Sequence, residues 1–394
     1  MPTAPNAFEA YAKTVREVYA EAERHMLKVV AKRAARGIDE PGWASKKLTE
    51  VHAIRNDIRT SLKTLGKTFA GLQEAIETAY AAGGDEAVKE MIGKRQTINM
   101  AASLSKVDHI ALRTLITKAV KRASSTHLRI LRAVEDGYRD VIQFASAQFS
   151  VGTMNKWEAV QNALNRFSDR GITGFVDAQG RRWSLASYSE MATRSALGQA
   201  SVQGHVDRLT QGGYDLVYVS DHAEECPLCR PWEGKVLSIS GKSEKYPSLN
   251  DAIAAGLYHP GCGHTVNLYV EGETKIPKAE SNPKLYEDRQ KQRYNERMIR
   301  KWKKREAVAI TPQEKLEASN QRKAWQAKQR AHVKETGRRR QYDREKIRDS
   351  GDPGGTADKL NVLNPPPLKK IKAVPKPKII DEKRAREHTC ELRR

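Results

Sequence analysis

The sequence predicts a mainly α-helical protein with a small α+β domain, and three observations carry that expectation. Long stretches without Gly or Pro place apolar residues at helical spacing. A short central window alternates in the manner of strands and holds three of the four cysteines. The last third is strongly basic and ends rich in Pro and Lys. The expected organisation is an N-terminal helical bundle or arm over residues 1–153 and a central α+β domain with a possible zinc site over 154–274. A basic helical extension over 275–348 and a disordered tail over 349–394 complete it.

The N-terminal elements follow from periodicity. Phe8 to Arg36 lacks Gly and Pro, and Tyr11, Val15, Tyr19, Ala22 and Met26 recur on one face, so this is one helix. Gly37, Pro41 and Gly42 break it. A second helical stretch is expected from Ser45 to Ala82, with Val51, Ile54, Ile58, Leu65 and Ile76 on its stripe, ended by Gly83-Gly84-Asp85. A third, broken near Gly93 and Ser103–Asp108, extends to Gln148. Stripes of this kind are core, and short Gly-marked joints read as antiparallel hairpins or a bundle. An arm packed on a partner fits them equally.

Beyond Met154 the texture changes. Lys156–Arg170 is one more helix, and Gly171–Ser184 reads as a β-hairpin with a tight turn at Asp177–Gly180. Ser184 is the expected N-cap of a helix reaching Gln203. Gly212-Gly213 leads into a strand over Tyr214–Ser220.

Next come Cys226-Pro227-Leu228-Cys229 and, after 29 residues, His259-Pro260-Gly261-Cys262-Gly263-His264. CxxC brings two thiolates onto one turn, and a second pair completes a tetrahedron around Zn2+. The expected ligands are Cys226, Cys229, His259 and Cys262. His264 can replace His259, because Cys262 and His264 share one face of a strand. Four ligands make a closed, structural site. Free buried thiols and a Cys226–Cys229 disulfide are the competing readings. His222-Ala223-Glu224 beside the CxxC has the residue types of a zinc deaminase but not its spacing. P-loop and nucleophile-elbow motifs are missing. The enzymatic alternative is a DNA-binding, metal-dependent nuclease using His259 or His264 and an activated water.

The formal net charge is +22. Residues 275–394 hold 35 Lys and Arg against 17 Asp and Glu, whereas residues 1–274 hold 35 against 31. Such a surplus points to a polyanion. In Leu285–Ala309, Tyr294, Met298 and Trp302 recur every four residues among cations, an amphipathic basic helix. A further helix is expected over Gln313–Glu335. The candidate nucleic-acid contacts are Arg293, Arg297, Arg300, Lys301, Lys303, Lys304, Arg338, Arg339 and Arg340. Trp302 and Trp325 are candidate protein contacts. Cys390 is expected to be a free thiol. With four Cys in 394 residues, no apolar run near ~20 residues and no basic–apolar leader after Met1, neither a disulfide scaffold, a membrane span nor a secretory signal is expected.

Several segments resemble the tailed-phage minor capsid protein 2 family. They are Gly171–Phe175, Arg181–Leu185, Tyr188 and Arg194, then Val217-Tyr218-Val219-Ser220-Asp221-His222 and Pro231-Trp232-Glu233-Gly234-Lys235-Val236. Gln292–Arg297, Ile299–Lys303 and Arg322–Gln326 extend the likeness. The Cys-bearing core is also similar to head morphogenesis proteins related to protein F of phage Mu. Those often carry CPxC, a GKV strand and HPxC in this order, with an Arg before the last ligand where this chain has Gly263. The resemblance covers about half the chain and implies a non-enzymatic minor head protein of the virion, assembled in the host cytoplasm. It implies a few copies near the portal vertex, with a portal protein, a major capsid or scaffold protein and packaged double-stranded DNA as partners. It further implies a part in head assembly and in DNA packaging or genome delivery.

Overall fold

A 27-residue helix, α1 (Glu9–Ala35), opens the fold, with Val18, Ala22, Met26 and Val30 buried along one face. The computed structural model describes residues 9–67, 70–92, 109–172, 183–224, 226–259, 262–278 and 282–347. The expected breaks at Gly93 and Ser103–Asp108, the hairpin turn at Asp177–Gly180, the Pro-rich tail and Cys390 lie outside these residues.

The single helix expected over Ser45–Ala82 is instead four: α2 (Trp43–Thr49), α3 (Ala53–Asp57), α4 (Arg59–Lys67) and α5 (Ala70–Ile92). Ion pairs hold the turns between the first three. Arg33 of α1 reaches Glu50 at 3.4 Å and also Asp57, and Arg55 grips Glu135 at 2.7 Å. The breaks leave Val51, Ile54, Ile58 and Leu65 in the core while Leu48 turns outward.

Gly83-Gly84 does not end α5, which runs on to Ile92. These glycines answer to a neighbour. A Cβ on Gly83 would lie 1.9 Å from the Ser201 carbonyl oxygen, and one on Gly204 would lie 2.0 Å from that of Tyr80. The backbones of α5 and α8 (Leu185–Gln211) meet there without side chains between them. Ser184 caps α8 as expected, accepting from Ser187 N at 3.2 Å, but the helix continues past Gln203 to Gln211.

The 42-residue α6 (His109–Ser150) and α7 (Lys156–Arg170) form an antiparallel pair. A capping box starts α7: Asn155 Oδ1 accepts from Glu158 N at 2.9 Å, and Glu158 accepts from Asn155 N at 3.1 Å. The main core lies between α1–α8, with Leu27, Ile54, Ile76, Ile142 and Leu164 fully buried.

The sheet is small. β1 (Leu216–Val219) lies between β2 (Val236–Ser238) and β3 (Val266–Leu268), antiparallel to both, with Val217 opposite Leu237 on one side and Leu268 on the other. A short helix, α9 (Leu249–Ala254), is capped by Ser248. The second core, with Val217, Val219, Leu237 and Leu268, closes against Met91 of α5 and Leu209 of α8. Glu90 accepts from Leu268 N at 2.7 Å across this joint.

The basic extension folds back on the body. α10 (Pro283–Val308) and α11 (Pro312–Thr336) form a hairpin, and α10 packs along α7 and α1. Thr311 caps α11, and Gln161 of α7 accepts from Ile310 N at 2.8 Å. The last element, α12 (Tyr342–Glu345), returns to α1. Arg16 donates to Asp343 at 3.0 Å, and Glu190 of α8 lies 2.7 Å from Arg344. No helix among the described residues is long and apolar enough to cross a membrane.

Candidate metal centre and the placement of the basic residues

The CxxC turn leaves β1 and tightens at once. The Cys226 carbonyl accepts from Cys229 N at 3.0 Å and Arg230 N at 2.9 Å, and Cys229 O accepts from Trp232 N at 2.8 Å. Both thiols therefore point into one end of the second core, where Cys229 is fully buried. The other donors arrive through the turn after α9. Tyr258 adopts a left-handed φ of 61°, costly for a bulky residue, and delivers His259 beside Cys226.

The five expected donors converge. Cys226 Sγ lies 3.0 Å from His259 Nε2, Cys229 Sγ 3.6 Å from Cys262 Sγ, and Cys262 Sγ 3.3 Å from His264 Nδ1. They form two triads that share Cys229: Cys226, Cys229 and His259, and Cys229, Cys262 and His264, each within 4.8 Å. Ligands about 2.0–2.3 Å from a tetrahedral zinc stand about 3.3–3.8 Å apart. The spacing and the S/N donor set thus suit zinc, and either histidine can complete the three thiolates.

Glu233, outside the expected donor set, joins the site. Its carboxylate lies 2.6 Å from His264 Nε2, with both side chains nearly inaccessible. This fixes the ring so that Nδ1 faces Cys262, the carboxylate–histidine arrangement that orients metal ligands. The readable signal was Glu233 four residues after Cys229 in Trp232-Glu233-Gly234, a turn that must pass the CxxC. His222 stands at the margin, its ring centroid 4.7 Å from that of His264 and its Nε2 3.2 Å from Ser220 Oγ.

The electrostatics favour one thiolate. A hydrogen bond from the Cys229 thiol, with others from His264, holds Cys262 well below the usual thiol range although burial opposes it. The same bond pushes Cys229 up. Burial lowers His222, whereas at His264 the contacts with Cys262 and Glu233 outweigh burial and raise it. A cavity of about 80 Å³ adjoins Tyr258, His259, Cys262 and His264, with Arg194 and Gln199 of α8 on its far wall.

The candidate nucleic-acid residues point largely inward. Lys304 is paired with the fully buried Glu23 at 2.7 Å, and Lys301 with Asp169 at 3.1 Å. Arg300 donates to the Arg344 carbonyl, Lys303 to the Glu345 carbonyl at 2.6 Å, and Arg293 to Glu296 at 3.0 Å. Arg338 meets Glu224 at 2.7 Å, and Arg340 makes a two-pronged contact with Glu345. Arg297, which lies over the Tyr294 ring, and Arg339 are the exposed exceptions. Burial depresses Arg300 to about 10 and Lys303 to about 8. The two indoles are half-buried in the hairpin: Trp325 stands edge-on to Tyr294 with centroids 5.6 Å apart, and Arg305 covers Trp302.

The chain is 29% identical over 233 residues to a structural protein of Lactococcus phage LL-H, covering 53% of this chain and 61% of that protein. It thus spans about three-fifths of that relative's length. No solved structure matches it. The family described as phage minor capsid protein 2 matches residues 3–334. That match takes in the helical body, the Cys/His unit and the α10–α11 hairpin together, and the chain belongs to this family of phage structural proteins.

Proposed function

We propose that this minor capsid protein is a non-enzymatic part of the head near the portal vertex, acting in assembly and in packaging or delivery of double-stranded DNA. Its partners on this reading are the portal protein, the major capsid or scaffold protein and the duplex. Zinc, held by three cysteines and one histidine, staples the central domain. The observation that supports the staple is the convergence of Cys226, Cys229, Cys262, His259 and His264 at one end of a sheet whose strands have only three or four residues. Strands this short bury little surface of their own, and a metal would tie together the loops between them. Purified full-length protein is expected to carry one zinc and to be present in virions at far fewer copies than the major capsid protein. Absence of the protein from purified particles refutes the head assignment, and metal-free folded protein refutes the staple.

One observation favours a second reading. Cys229, Cys262 and His264 could hold a metal with one position open, which would supply an activated water, and the cavity of about 80 Å³ beside them would admit that water. A plasmid-nicking assay separates the two: metal-dependent cleavage lost in His264→Ala establishes a nuclease, and intact plasmid at full metal occupancy supports the structural role.

A further inference from the structure

The first half of α6 has an unbalanced positive face. Between His109 and Val134 the sequence holds Arg113, Lys118, Lys121, Arg122, Arg129 and Arg132 and not one Asp or Glu. All six are exposed. At 100° per residue, all but Arg113 fall within an arc of about 100°, over a length of about 21 Å. Leu112, Leu115, Ile116 and Ala119 pack the adjoining flank of the helix against the main core, which leaves the stripe exposed, with Lys118 and Arg122 at the edge of a cavity facing α1 and α8. Lys118, Lys121, Arg122 and Arg132 have no carboxylate partner among the described residues.

We propose that this stripe, rather than the basic C-terminal helices, meets the phosphate backbone of double-stranded DNA. The inference rests on the reading above that the protein contacts packaged duplex. Each strand of a duplex carries one phosphate per about 3.4 Å of duplex axis, so about 21 Å of axis presents about six phosphates per strand to a stripe of five cations, four of which have no carboxylate partner among the described residues. An exposed, unpaired Lys or Arg can release a counterion at no cost to the fold. Lys304 would first have to abandon buried Glu23. On α11 Lys315, Lys323, Arg330 and Lys334 share an exposed face, but these four are spread over about 28 Å, a sparser stripe. A row of cations on a rigid helix flank neutralises backbone charge without reading bases, as packaging of any genome sequence requires.

The test is the salt dependence of binding of the full-length protein to a mixed-sequence 30-bp duplex, followed by anisotropy between 50 and 200 mM NaCl. Lys118→Gln/Lys121→Gln/Arg122→Gln/Arg132→Gln is expected to reduce the slope of log K against log salt by about 3.6. The milder Lys121→Gln/Arg132→Gln, a safeguard should the fourfold variant fold poorly, reduces it by about 1.8. Lys323→Gln/Arg330→Gln/Lys334→Gln leaves it within about 1 of the parent. An unchanged slope in the α6 variants, with or without a loss in the α11 variant, overturns the assignment while leaving DNA binding itself intact. A parent protein that does not bind the duplex at all refutes the DNA reading too, and directs the stripe to an acidic protein surface.

Discussion

The α5–α8 seam and the Cys/His unit touch each other, yet they hold their backbones by opposite means. In the seam, order comes from missing atoms: Gly83 and Gly204 let two helices approach until a carbonyl occupies the place of a Cβ. In the unit, order comes from particular atoms: three thiols, two imidazoles and the Glu233 carboxylate, set around strands too short to bury much surface. The first cannot accept an added methyl group without moving a helix. The second accepts a change of volume more readily than the loss of a donor.

The sharpest break of this contrast is Gly204→Val. Its Cβ meets backbone rather than a flexible side chain, so overpacking should cost about 3 kcal/mol or more, read from the urea midpoint of the whole protein. A wild-type midpoint in that variant would show that the helices separate freely. Cys229→Ser removes the donor common to both triads. Hydrogen exchange of β1, β2 and β3 should lose protection, chelator should reproduce the effect on the parent, and α6–α7 should keep theirs. Glu233→Gln leaves every ligand in place but weakens the grip on His264, with zinc affinity falling about 10–100-fold in a competition titration. Asn155→Ala, far from both regions, should cost about 1 kcal/mol and leave zinc affinity unchanged, which tests whether bundle and unit are energetically separable. A further effect is one of pH. Lys303 titrates near 8, below the 10.5 of a free lysine, so the unfolded chain binds the extra proton between these values. Its unfavourable burial is complete below about pH 8 and disappears toward pH 10.5. The stability of the parent relative to Lys303→Met should therefore rise across that window, measured by parallel denaturant titrations.

What could be read in advance was local. The long helices, the Ser184 cap and the Cys/His donor set all announce themselves through spacing within a few residues. The misread features depend on distant partners. Gly83-Gly84 looks like a helix end until Ser201 is placed against it. Lys304 looks like a phosphate ligand until Glu23, at the other end of the chain, is found beside it. Charge totals hid a further point: the near-balance of residues 1–274 averages the acid-free half of α6 with acidic segments elsewhere. Composition locates charge along a chain, and only packing decides which of it faces outward.

The contact between Arg16 and Asp343 spans 327 positions of sequence. A ribosome adding about 5–20 residues per second needs on the order of 20–60 s to travel that distance. Until Asp343 is made, Arg16 has only the longer contact with Glu190, at 3.7 Å, and Glu190 lacks Arg344. The ion-pair set of α1 is thus completed only when α12 arrives. A chain that stops before Asp343 and Arg344 leaves Arg16 and Glu190 without these partners.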